Sequence, residues 1–133
     1  MKEMEEMGNE GASSVFQAEL ERVLRRIPGS LSATLVDVDG IALASFSADN
    51  TLNADVVAAE LASMVKGMKR AFESLRTGKI QEFLFATDQV VIVTRSVGTE
   101  FFLSIVLKDE LSLGLSRVET KRLSKDLEKA LLL

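Results

Sequence analysis

Very short connections join most of the apolar runs in this chain, and that brevity limits the fold more than any other feature. LSATLVDV (31–38) and IALASF (41–46) flank Asp39-Gly40. Ile80–Thr87 and Val90–Arg95 flank Asp88-Gln89, and Gly98-Thr99 precedes Phe101–Lys108. Parallel neighbours need a crossover of about a dozen residues or more, whereas a tight turn lays the chain back beside itself. The five strands are therefore expected to run antiparallel. Asp39-Gly40 is the strongest of these signals, because both residue types tolerate positive φ in a two-residue hairpin loop.

Three amphipathic segments surround the strands. Phe16, Leu20, Val23, Leu24 and Ile27 recur at helical spacing before Pro28-Gly29, with Ser14 and Gln17 at capping-box positions ahead of them. A long helix is expected over about 54–76, capped by Asn53 and ended by Thr77-Gly78, after a loop over 47–52. Its core stripe is Val57, Leu61, Met64, Val65, Met68, Ala71, Phe72 and Leu75. The last helix is expected to start near Ser116, with Glu119 at capping-box distance and Leu123, Leu127, Ala130 and Leu131 inward. Residues 1–12 are acidic and contain Gly and Ser, so they are expected to form a flexible tail ahead of one domain at 13–133. The fold class is α+β: a central five-stranded antiparallel sheet in the order α-β-β-α-β-β-β-α.

Residue usage removes most catalytic chemistries. With neither His nor Cys, the common base for a serine nucleophile, thiol catalysis and Cys-ligated zinc are all absent. A net charge of −4, with no Lys/Arg run and no Trp or Tyr, argues against nucleic acid as a partner. No apolar run approaches the ~20 residues that span a bilayer, and the N-terminus is no secretory signal. A cytoplasmic protein without membrane partners and without cofactors is the expectation.

LVDVDG (35–40) looks like the opening of a haloacid-dehalogenase-type phosphatase, in which paired aspartates hold magnesium. Here a second strand follows the glycine at once, so the glycine serves a hairpin. A calcium loop counted from Asp37 would need Glu at its twelfth position, and Ala48 stands there. Ser13, Ser14 and Ser116 read as caps, and Asp109-Glu110 and Glu19/Glu21 as solvated charge.

The long helix and the third strand carry surface signals instead. Ala59, Ser63 and Gly67 are spaced four apart, away from the core stripe. Glycine inside a helix costs ~1 kcal/mol relative to alanine. Either the stripe is a tolerant surface, or it lets another helix approach closely. In IQEFLFAT (80–87), Gln81, Phe83 and Phe85 share one face while Leu84 and Ala86 share the other. An edge strand apolar on both faces invites aggregation unless it is paired, and pairing across a two-fold axis would give a dimer.

Taken in order, these segments resemble the Roadblock/LC7 family, and its bacterial MglB-like branch in particular. The resemblance covers about residues 14–131: the leading helix, LVDVDGIALASF, ADVVAAELASMVKGMKRAFESL with Gly78, FLFATDQVVIVTRSVGTEFFLSIVL, and LGL at 113–115. It implies a non-enzymatic homo- or heterodimer whose sheets join edge to edge, with a small Ras-like GTPase as the partner, whose nucleotide cycle it modulates, a GTPase-activating role being one form of that. On that basis Ala59, Ser63, Gly67, Gln81, Phe83 and Phe85 are expected at a homodimer interface. Glu60, Lys66, Arg70 and Glu73 are expected to touch the GTPase, with Arg70 as a rim charge rather than an arginine finger. The alternatives are a dynein-light-chain-like structural adaptor and, more weakly, a profilin- or GAF-like sensor of a small ligand.

Overall fold

A computed structural model describes residues 2–48 and 52–131, with 2–13 as backbone. Helix α1 (Lys2–Arg25) leads into strands β1 (Ser30–Asp37) and β2 (Ala42–Ser47). Helix α2 (Ala54–Leu75) is followed by β3 (Glu82–Ala86), β4 (Val91–Val97), β5 (Phe101–Leu107) and helix α3 (Leu113–Ala130). All strand pairings are antiparallel, in the spatial order β2-β1-β5-β4-β3. The α+β class, the element order and the five-stranded antiparallel sheet are as the sequence implies.

Two helix starts differ from expectation. α1 begins at Lys2 rather than at Ser13 or Ser14, so its helical backbone runs through the segment expected to be a tail. The Lys, Glu and Met residues of 2–7 are strong helix formers, and they extend the helix past the capping-box pair. α3 begins at Leu113 with Ser112 as N-cap residue, placing Ser116 inside the helix, where its hydroxyl donates to the Leu113 carbonyl at 2.8 Å. Ser112 instead donates to the Pro28 carbonyl at 2.6 Å, pinning the start of α3 to the end of the first connection. Of the loop expected over 47–52, residues 49–51 lie outside the described part.

The sheet has two unlike faces. On one, Leu35, Leu103, Ile105 and Val93 meet Leu20, Ile27, Leu123 and Leu127, which forms the main core beneath α1 and α3. α1 lies over β1 and β2, and α3 over β4 and β5. Across the other face runs a row of short polar side chains, Thr34 beside Ser104 beside Thr94, all buried. Thr94 donates to Ser104 at 3.2 Å, and no buried side-chain polar atom among the described residues lacks a partner. α2 rests on this face over β1 and β2, with Ala58 and Val65 packed against Val36 and Phe102. Short side chains on both partners permit that close approach.

Candidate interaction surface

α2 starts as the sequence predicts. The Asn53 side chain accepts from the backbone N–H groups of Asp55 (3.0 Å) and Val56 (3.2 Å), satisfying two of the first-turn donors. Its end differs, because Arg76 rather than a glycine takes the left-handed conformation, at φ 55°, and donates to the Glu73 carbonyl at 3.2 Å.

Burial along α2 is lopsided. Ala58, Leu61, Ala62 and Val65 are buried, while every residue from Lys69 to Leu75 is exposed. Met64, Phe72 and Leu75, expected in the core, stand in solvent, Phe72 at 40% and Leu75 at 65% exposure. Ala71 is exposed as well, and Val57 and Met68 are half-buried. Periodicity assigns these residues to the core stripe, but the sheet lies beneath only the first half of the helix. Periodicity reports which face of a helix is apolar, and cannot tell its own core from another molecule.

β3 is the edge strand at the same side of the molecule. It pairs with β4 from Glu82↔Arg95 to Ala86↔Val91, and its other edge has no neighbour among the described residues. Neither α1, α2 nor α3 packs its backbone on this strand. Phe83 is half-buried, Phe85 is 37% exposed, and their rings sit 5.3 Å apart at 59°. Leu84, on the opposite face, is exposed too. Gln81 is exposed, and its carbonyl accepts from the Ser96 N–H at 2.9 Å.

Ala59, Ser63 and Gly67 are exposed, as are Glu60, Lys66, Arg70 and Glu73. They do not form one patch with β3. A β-carbon built on Gly40 would stand 3.4 Å from both the Ala59 Cα and the Ala62 Cβ, so that flank of α2 faces the β1–β2 turn. At ~100° per residue, Met64, Ala71 and Leu75 come to the other flank. On that side Met68 joins the cluster that also holds Phe83. Sequence reasoning thus found the β3 half of the apolar surface and missed the α2 half, having spent those residues on the core. Gly67 lies between the flanks, and a β-carbon there would meet nothing within 4 Å.

Beside this surface is an open groove of about 240 Å³ between the end of α2 and the β4–β5 turn. Phe72, Ile80 and Phe102 form its apolar wall, and Lys69, Glu73 and Lys79 its charged lining. Lys66, Lys69, Arg70, Arg76 and Lys79 form no ion pair among the described residues, so this end of α2 is cationic.

Asp37 is committed to the turn. Its carboxylate accepts from the N–H groups of Asp39 (2.9 Å) and Ile41 (3.0 Å), and its carbonyl from Gly40 at 3.1 Å. The connection is longer than the two residues expected: strand pairing resumes only at Val36↔Ala42, after a bulge, and Gly40 alone takes positive φ, at 87°. A carboxylate already bridging two backbone donors locks a hairpin.

The sequence profile of the Roadblock/LC7 domain matches residues 16–107. Among solved structures, a Roadblock/LC7 domain from Streptomyces avermitilis is similar, with TM-score 0.80 and 19% identity, over 88% of this chain and 98% of that one. MglB from Myxococcus xanthus gives TM-score 0.80 at 20% identity, over 86% and 93%. The gliding protein MglB from Thermus thermophilus gives 0.76 at 24% identity, over 83% of each chain. No curated protein matches the chain.

Proposed function

This chain belongs to the Roadblock/LC7 domain family, a family of regulatory and adaptor domains, and from that premise we propose that it is a dimeric regulator of a small Ras-like GTPase. One observation carries the reading: the outer flank of α2 and the edge of β3 leave Met64, Phe72, Leu75 and Phe85 exposed, on the sheet face where Met68 and Phe83 share a cluster. Exposed apolar side chains beside a strand edge that has no neighbour among the described residues mark an interaction site.

In the homodimer two β3 strands pair antiparallel and continue the sheet across the two-fold axis, while the α2 helices meet along their exposed flanks. Phe83 and Phe85 then lie at the join, with Gln81 at its end. Ala59, Ser63 and Gly67, set away from that flank, belong to the margin of the helix contact. The GTPase is held through the charged residues of α2, Glu60, Lys66, Arg70 and Glu73, and its nucleotide cycle is modulated by positioning rather than by a catalytic group supplied from this chain. An exposed helical arginine such as Arg70 is a rim contact, since an arginine finger must reach a buried γ-phosphate. No helix among the described residues is long and apolar enough to cross a membrane. A Ras-like GTPase as the partner favours a cytoplasmic location.

Equilibrium sedimentation tests the dimer, and titration of a Ras-like GTPase loaded with either nucleotide tests the partner. A regulator prefers one nucleotide form; equal binding to both would favour the adaptor role. A monomer at all accessible concentrations would remove the proposal.

A further inference from the structure

We propose that the solvent face of α3 is a docking surface for anionic phospholipid bilayers. The inner face of this helix carries Ser116, Thr120, Leu123 and Leu127 into the core. Its outer face carries Lys121, Lys125 and Lys129, four residues apart and therefore in one row along the axis. None of the three forms an ion pair among the described residues. Arg122 joins the row; its guanidinium approaches Glu119 at 3.4 Å but remains largely in solvent. Asp126 is the single exposed acid among them.

This cationic row stands on a chain of net charge −4, so charge is segregated rather than scattered. The neighbouring helix shows the contrast. Arg22 and Arg25 of α1 are matched by Glu19 and Glu21 one turn away. Among the side chains described on these two helices, the cations left without an acidic neighbour in the same row are those of α3.

Apolar groups complete the surface. Val118 and Leu115 are exposed beside the lysines, and Leu111, just ahead of the helix, is 91% exposed. A helix lying in a bilayer interface combines these two elements: cations that meet the headgroup phosphates, and a few apolar side chains that enter the boundary beneath them. Between Val118, Arg122 and Lys129 lies a wide, open hollow of about 350 Å³. An open surface of this kind lets a row of headgroups reach all of the lysines at once. The face lies across the sheet from α2. A bilayer there leaves α2 and the β3 edge accessible.

The test is flotation of the full chain with vesicles of phosphatidylcholine alone and with about a third phosphatidylserine. Binding to the anionic vesicles only, weakened by salt, is expected. The Lys121→Gln/Lys125→Gln/Lys129→Gln variant should lose at least about tenfold in partitioning, since each cation near an anionic surface contributes separately. Its thermal melt should be unchanged, and Val118→Ser should weaken partitioning while keeping the salt dependence. No binding to anionic vesicles, or equal binding by the triple variant, overturns the proposal. Retention of the wild-type chain by a soluble acidic polypeptide without vesicle binding also overturns it, in favour of an acidic protein partner. The result is independent of the GTPase titration.

Discussion

Arg117 donates from Nε to Oε1 of Glu82 at 2.9 Å, joining the first turn of α3 to the first residue of β3 across 35 positions of sequence. Glu82 holds Arg95 on β4 through its other oxygen at 3.3 Å, and only 14% of its side chain is exposed. The hydrogen bond to Glu82 raises the Arg117 guanidinium above its already high pKa. One carboxylate thus anchors the free edge strand to two other elements.

Removing that carboxylate should cost more than removing its exposed partner. Glu82→Ala leaves Arg95 half-buried without an acceptor, and urea unfolding should show a loss of about 1–3 kcal/mol. Arg117→Ala removes a solvent-screened contact, so its midpoint should move clearly less in the same measurement. Equal effects would mean that Arg95 relaxes into water.

Phe85→Glu puts a charge on the exposed edge of β3. The expected product is a monomer in sedimentation, with its far-UV spectrum intact, because this side chain is not part of the chain's own core. An unaltered dimer would show that the strands do not meet at β3.

Gly67→Leu separates self-association from folding. A β-carbon at this position would meet nothing within 4 Å. Leucine is also the better helix former, by somewhat less than the ~0.8–1.0 kcal/mol that separates glycine from alanine. The monomer should therefore become slightly more stable while dimer or partner affinity falls. Unchanged assembly would make the small-residue stripe plain surface.

Gly40→Ala tests the turn. At φ 87° any side chain is strained, while the new methyl would only come into contact with Ala59 and Ala62 at 3.4 Å, so the backbone carries the cost. A destabilisation of about 1–2 kcal/mol in thermal or urea unfolding is expected.

Strands and the places of the turns were legible in the sequence because their signals are local, but the length of the β1–β2 connection was not. Alternation and the Asp-Gly, Asp-Gln and Gly-Thr connections depend on neighbours two or three residues away. Helix starts were less so: Ser14 and Ser116 have capping-box spacing, yet in each case the helix has begun upstream, at Lys2 and at Leu113. The edge position of β3 was legible in its two apolar faces. The exposure of Phe72 and Leu75 was not, because periodicity marks an apolar flank without saying how far the sheet extends beneath it. Nor was the buried Thr34–Ser104–Thr94 row, whose members come from three strands and look like surface residues one at a time. The cationic face of α3 was hidden by the whole-chain average.

α2 is clamped to its own sheet over its first three turns and bare over its last two. Amide hydrogen exchange along it should consequently be graded, with 69–75 opening at lower free energy than 58–65 in dilute protein. Raising the protein concentration, or adding a partner, should slow exchange at the loose end most and carry the melting temperature upward with it. Half of this helix borrows its rigidity from whatever it touches.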